Sequence, residues 1–120
     1  MKLKGRSPIK PTEDPEKVLR CILNIFPNCD HEVSKEMVEF SSNDIDRFME
    51  ILREQQTRDT AIMILERGLE GDSSSFLLNK QAAFMERVNF SEGNSTLGDI
   101  EVTIIEGAID LIESIKPRMD

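Results

Sequence analysis

The sequence predicts an α+β fold of two layers, in which helices pack on one face of a mixed β-sheet. Apolar residues recur at every second position in some segments, as in strands, and at three- and four-residue steps in others, as in amphipathic helices. The helices are too few and too unevenly placed for a doubly wound sheet. Because helices connect several of the strands, we expect some strand pairs to be parallel.

Length and composition predict one domain over residues 1–120. The chain has 120 residues, of which 38% are hydrophobic and 32% are charged, so it can bury a core of its own. No apolar run approaches the ~20 residues that span a bilayer, and the first residues lack the apolar block of a signal peptide. We therefore expect a cytoplasmic protein without a membrane partner.

The first elements follow from two prolines. Residues 2–9 are predicted to form an edge strand, because Pro8 lacks the amide donor that an inner strand needs. Asp14 can accept from free helix amides and Pro15 suits a first helical position, so a helix is predicted over residues 15–26.

The middle of the chain is predicted to be a strand followed by helical sequence. Residues 31–40 alternate apolar and charged positions, which favours a strand, and Ser41–Asp44 then provides a helix cap. The apolar stripe of residues 45–69 changes phase halfway, which indicates either two consecutive helices or one sharply bent helix. Gly68 is placed to end it.

The segment 76–90 is predicted to be extended, since its even positions are mostly apolar and its odd positions mostly polar. It forms either one strand or a hairpin with a turn near residues 79–82. Residues 91–95 are a loop, and residues 100–104 are another alternating strand. A terminal helix follows, closed by Pro117.

Polar side chains inside the segment 76–90 are the first candidate functional feature. Amides and cations are poor choices for a core strand, and this segment carries Asn79, Lys80, Gln81 and Arg87. They form either an ordinary exposed sheet face or a face that contacts RNA. The chain has no Trp or Tyr, and its six Phe residues mostly take core positions, so contacts to the RNA backbone or shape would dominate over base stacking.

A second candidate is the polar junction between the predicted helices, residues 53–60. The junction is either a solvated surface or a platform made by Arg53, Gln56 and Arg58. Arginine and glutamine side chains can fork onto phosphates, sugars or base edges, so the platform reading also predicts RNA contact.

Charge argues in both directions. The net charge of −8 and the pI near 4.7 oppose nucleic-acid binding, which draws on clustered cations. The first ten residues nevertheless carry Lys2, Lys4 and Arg6 without an acidic residue, and these cations could add to a basic face.

No residue pattern identifies a catalytic group, a metal site or a cofactor. The single His31 with Cys21 and Cys29 does not complete a zinc set at a familiar spacing. The glycines of Gly68–Gly71 follow a helix and lack the Lys-Ser/Thr ending of a phosphate loop. We therefore expect a protein that is not an enzyme.

Several sequence blocks resemble the small archaeal UPF0201 proteins, a family predicted to bind RNA. The blocks are Pro11–Asp14, Ile25–Pro27, Leu52-Arg53, Asp59–Ala61, Gly68–Gly71, Leu78–Phe84, Val88–Phe90 and Leu97-Gly98. The resemblance implies a fold similar to ribosomal protein L5. It also implies a role in RNA binding or RNA processing, beside the archaeal exosome.

Two functional hypotheses follow. The first is a non-enzymatic RNA-binding domain whose contact residues are Arg53, Gln56, Arg58, Asn79, Lys80, Gln81 and Arg87. The second is a protein-interaction or homodimerisation module, in which the acidic surface and exposed strand edges meet another chain, such as a protein of RNA processing.

Overall fold

The part of the chain that the structure describes folds into six strands and five helices. The structure is a computed structural model that describes residues 1–116. Its elements are β1 (Lys2–Pro8), α1 (Pro15–Ile25), β2 (Asp30–Val33), β3 (Met37–Ser42), α2 (Asp46–Gln55), α3 (Arg58–Arg67), β4 (Leu69–Glu70), β5 (Ser73–Leu78), α4 (Lys80–Phe84), β6 (Ile100–Glu106) and α5 (Ala108–Ile115).

The six strands form one sheet in the order β2-β3-β1-β6-β5-β4. The predicted α+β class is confirmed, but every strand pair among the described residues is antiparallel, so the expectation of parallel pairs is wrong. Residues 31–40 account for the antiparallel pairing of β1 with β3. They form the hairpin β2–β3 instead of one strand, and this extra reversal brings β3 alongside β1 in the antiparallel sense.

The strand β1 is an inner strand, which corrects the prediction of an edge. It pairs with β3 on one side and with β6 on the other. Pro8 is its last residue, so the missing amide lies at the end of the ladder and interrupts no interior bond.

The predicted first helix is confirmed as α1, whose Asp14 carboxylate accepts from the Glu16 amide at 3.0 Å. The apolar stripe of residues 45–69 forms two helices, α2 and α3. Gln56 separates them in the left-handed backbone region, at φ 59°. Pro117, the predicted end of the last helix, lies outside the described residues.

The segment 76–90 differs most from its prediction. β5 ends at Leu78, α4 follows, and the chain then returns beside β5 through a bridge between Leu78 and Phe90. Asn79 starts the helix by accepting from the Ala82 amide at 2.9 Å. Ala82 and Phe84 occupy even positions, as the apolar residues of the neighbouring strand do. Alternation alone therefore did not distinguish a short helix from an extended strand in this segment.

The core lies between the helices and one face of the sheet. Along β3, the buried Val38, Phe40 and Ser42 alternate with residues that point away from the helices. Stacked rings of Phe26, Phe48 and Phe76 cross the core at centroid distances of 5.5–6.1 Å with their ring neighbours. None of the helices in residues 1–116 covers the other sheet face, which is open. Within residues 1–116, no helix is long and apolar enough to cross a membrane.

Candidate nucleic-acid interface

Lys80 is a buried structural cation. Only 6% of it is exposed, and its ammonium donates to Pro8 O at 2.6 Å, to Leu97 O at 2.8 Å and to the Glu13 carboxylate at 2.9 Å. An ammonium has three donors, so none remains for a ligand. The prediction that Lys80 lies on an RNA-contacting face is therefore wrong. Glu13 and Pro8 precede Lys80 by 67 and 72 positions, and Leu97 follows it by 17. Local sequence patterns therefore could not predict these contacts.

Asn79 and Gln81 do not share a sheet face with Arg87. The Asn79 side chain caps α4, and its backbone amide donates to Asn89 O at 2.9 Å. Gln81 is exposed on α4, on the side that faces α1. The predicted contact residues of this segment are therefore divided among a buried pair, a helix cap and two separate surfaces.

The predicted platform of Arg53, Gln56 and Arg58 lies at the α2–α3 junction and is exposed. These three residues do not line the groove in which Arg87 lies. The structure therefore does not bring all the predicted contact residues onto one surface, and their RNA contacts stay a prediction.

Gln55 joins the junction to the returning segment after α4. Its amide nitrogen donates to Val88 O at 3.0 Å, and its amide oxygen accepts from the Val88 amide at 2.7 Å. This reciprocal pair has the hydrogen-bond pattern of one residue pair in a β-ladder. With Val88 fixed toward the core, Arg87 and Asn89 are exposed on either side of it, as the period-two pattern predicted locally.

A groove of about 610 Å³ lies between the end of α2 and this returning segment. Its polar lining comes from Arg47, Glu54, Gln55, Thr57, Glu86, Arg87 and Asn89, and its apolar lining from Ile51 and Met85. We call it the arginine groove. Sequence reasoning missed Arg47 and Gln55. The signal for Gln55 was its place at the phase change of the apolar stripe, beside Gln56.

The two cations of the arginine groove differ in availability. Arg47 is held by Glu50 and by Glu54, the latter at 3.6 Å. Arg87 makes no ion pair with any residue in the range 1–116. A guanidinium without an acidic partner can donate two parallel hydrogen bonds to a phosphate, which makes Arg87 the better candidate contact.

The open sheet face carries the remaining predicted cations but is not basic. On β1, Lys4 lies between Ser41 and Thr103, whereas Arg6 lies between Glu39 and Glu101 and pairs with Glu101 at 3.0 Å. Lys2 stands opposite Glu106. Phe40, the one ring in the strands next to β1, is buried on the other side. This face therefore lacks the stacking rings and the positive charge that an RNA platform uses.

The two thiols are poor nucleophiles. Burial raises the pKa of Cys21, although the nearby Lys80 ammonium opposes that shift, and burial likewise raises the pKa of Cys29. Residues 1–116 contain no group of three or more His, Cys, Asp or Glu side chains placed to hold a metal ion.

Comparison with known proteins identifies the family. A family model described as RNA binding matches residues 3–106. The chain is 42% identical to a UPF0201 protein of Methanothermobacter thermautotrophicus, over 91% of this chain and 88% of that protein. It is 41% identical to a UPF0200/UPF0201 protein of Archaeoglobus fulgidus over 82% of this chain, but the match spans only 31% of that longer protein.

Solved structures agree with these relatives. The UPF0201 protein from Methanococcus jannaschii superposes with a TM-score of 0.88 at 35% identity, covering 100% of this chain and 96% of that one. A second uncharacterised UPF0201 structure gives a TM-score of 0.82 at 38% identity, over 87% and 81% of the two chains. The expected likeness to ribosomal protein L5 stays a prediction. The chain belongs to the UPF0201 family.

Proposed function

We propose that this protein binds RNA without acting as an enzyme, and that the arginine groove is its contact surface. The observation that carries the proposal is the reciprocal pair of hydrogen bonds between Gln55 and Val88, which holds Arg87 and Asn89 at the groove. The family model described as RNA binding supports the same ligand class.

The arginine groove combines two kinds of contact that RNA recognition uses. The Arg87 guanidinium can bind a backbone phosphate, and the exposed Asn89 amide can donate to and accept from a sugar or base edge. Glu54 and Glu86 line the same groove and lower its net charge. We therefore expect few phosphate contacts and a shallow dependence of affinity on salt.

The test is a titration of a labelled RNA hairpin with the protein at several salt concentrations, with fluorescence anisotropy as the readout. Replacing Arg87 with alanine removes one phosphate contact, so the slope of log affinity against log salt should fall by about one unit and binding should weaken. Arg20→Ala removes an exposed arginine on α1 that does not line the groove, and it serves as the control. Equal binding by the Arg87 and Arg20 variants would exclude the arginine groove.

The resemblance to UPF0201 proteins extends the proposal to a role in RNA processing, in which the domain would hold RNA for a partner enzyme. This role depends on RNA binding. It is therefore tested only after the titration, by asking whether the bound RNA remains accessible to a ribonuclease.

A second candidate function is contact with another protein chain. It is favoured by β2, the outermost strand on its side of the sheet, whose four residues are all exposed. Asp30 and Glu32 place like charges on this edge, which discourages pairing of two copies and favours a basic partner. Light scattering across a range of protein concentrations tests self-association. A constant monomer mass would exclude the homodimer.

A further inference from the structure

A second groove lies on the other side of α4, between this helix and α1. Its volume is about 460 Å³, and Val18, Cys21 and Leu97 contribute to its apolar lining. The ion pair between Lys80 and Glu13 also borders it, with both charges satisfied. We call this the α1–α4 groove. A pocket of this size with a mainly apolar lining suits one small planar group.

Phe84 exposes an aromatic ring at this groove. It is 42% exposed, whereas Phe26, Phe40, Phe48 and Phe76 are buried and Phe90 is packed against the core. The neighbouring Met85 is 69% exposed. Part of the apolar Phe84 ring is therefore uncovered, and its place beside an apolar groove points to a ligand that covers it.

The rim of the α1–α4 groove offers hydrogen-bonding groups that the fold does not use. Within residues 1–116, the Gln81 side-chain amide has no hydrogen-bond partner and Lys17 has no acidic partner. A glutamine amide presents both donors and an acceptor, the combination that can pair with the edge of a nucleobase. The groove therefore combines an aromatic ring that can stack on a base with an amide that can hydrogen-bond to the edge of that base.

Met85 lines both the α1–α4 groove and the arginine groove, so the two are adjacent across α4. We propose that the α1–α4 groove binds one unpaired RNA base, stacked on Phe84 and contacted at its edge by Gln81. The phosphates of the same strand would lie in the arginine groove. This inference rests on the proposed RNA-binding function and adds that an unpaired nucleotide in the RNA tightens binding.

The dimensions favour a base over a protein segment. An amphipathic helix docks through anchors spaced over two turns or more, which needs a long apolar groove. The α1–α4 groove has one exposed ring and a polar rim close to it. A single base supplies one flat apolar face with a polar edge, which matches this arrangement.

The experiment compares two RNAs of equal length, a hairpin with 2-aminopurine in its loop and a fully paired duplex. The Phe84→Leu variant keeps an apolar side chain but removes the ring. Loss of base stacking should weaken hairpin binding roughly tenfold, leave duplex binding unchanged and abolish the quenching of 2-aminopurine. Ile109→Ala, which truncates an exposed apolar residue of α5, is the control and should match the parent protein.

A second variant guards against a folding defect. Gln81→Ala changes an exposed side chain and should reduce discrimination between loop bases while circular dichroism and urea unfolding stay unchanged. If the parent protein binds the hairpin but Phe84→Leu and Gln81→Ala bind it equally well, the base site is refuted and RNA binding stands. If Phe84→Leu alters only self-association, the groove is a protein contact and the base site is again refuted. Failure of the parent protein to bind either RNA would refute the proposed function itself.

Discussion

Lys80 and Arg87 stand seven positions apart in one polar run, yet they have opposite roles in the fold. Lys80 is buried and donates to three oxygens, whereas Arg87 is exposed and has no acidic partner within residues 1–116. Distant residues make the difference. Glu13 forms an ion pair with Lys80. Gln55 instead hydrogen-bonds to the backbone of Val88, next to Arg87, and leaves the Arg87 guanidinium exposed.

This contrast shows that a cation in an apolar segment has two explanations that local sequence cannot separate. A buried charge is tolerated only when it is paired and hydrogen-bonded, and Lys80 meets that condition. An exposed cation needs no partner and contributes little to stability. Mutation of Lys80 should therefore act through stability, and mutation of Arg87 through binding.

The largest effect should come from Lys80→Met, which removes the ion-pair partner of the largely covered Glu13 carboxylate and the shared donor of two backbone carbonyls. We expect the free energy of unfolding, measured in urea, to fall by about 3–5 kcal/mol.

Two further proteins sharpen this test. Lys17→Met removes an exposed lysine of α1 and should change stability by less than about 0.5 kcal/mol. Replacing both partners, as Lys80→Met with Glu13→Leu, should recover much of the loss because no charge then stays buried. A Lys80→Met protein as stable as the Lys17→Met protein would mean that the ion pair does not hold the two segments together.

The second effect comes from Gln55→Ala, which removes both hydrogen bonds to Val88. We expect a loss of roughly 1–3 kcal/mol in the free energy of unfolding, because two backbone groups lose their partner. RNA binding should weaken as well, since Arg87 is no longer held in place.

A double-mutant cycle separates positioning from general destabilisation. If Gln55 acts through Arg87, then Gln55→Ala should cost much less RNA affinity in an Arg87→Ala background than in the parent protein. Arg20→Ala is the control, because Arg20 is exposed on α1 and does not line the arginine groove. Fully additive losses in affinity would show that the two residues act independently.

The sequence predicted the parts of this fold that depend on local signals. Asp14 with Pro15 located the start of α1, and the alternation of Ile100, Val102 and Ile104 located β6. It did not predict α4, because a five-residue helix spans fewer than two turns and is too short to show a repeating apolar pattern. The hairpin β2–β3 was also missed, since its exposed strand β2 has no apolar alternation.

The candidate interface was predicted only in part, for a related reason. The exposure of Arg87 followed from alternation next to the buried Val88, whereas Asn89 was not among the predicted contact residues. Gln55 reaches Val88 across 33 positions, and the partners of Lys80 precede it by 67 and 72 positions. Contacts of this range depend on the completed fold, so polarity identified the relevant segments but not the role of each residue.

A third and smaller effect should come from Glu86, which lies in the turn between α4 and Arg87 and has a left-handed backbone at φ 59°. Glycine adopts this conformation without the steric cost that a Cβ atom brings. We expect Glu86→Gly to be about 1 kcal/mol more stable to urea than Glu86→Ala, which removes the same charge but keeps the Cβ. Equal stabilities would indicate that the turn after α4 relaxes to another conformation in the variants.

The smallest effect lies outside both regions and provides a reference for pH. Asp72 accepts from the amides of Ile109 and Gly107 at 3.0 and 2.8 Å, and these bonds to the start of α5 hold its pKa below the usual value of 3.8. A lowered folded pKa means that the stabilisation is fully present above pH 3.8 and is lost as the pH falls through the folded value.

Thermal unfolding of Asp72→Asn across this range tests the assignment. At neutral pH the variant should be less stable than the parent protein, since an amide oxygen is a weaker acceptor for helix amides than a carboxylate. The difference should shrink as the solution becomes acidic, because Asp72 of the parent protein is then protonated. The same acid-dependent loss should persist in the Gln55 variant, whose substitution lies in a different part of the fold. A difference that stays constant from neutral to acid pH would show that the carboxylate charge does not stabilise α5.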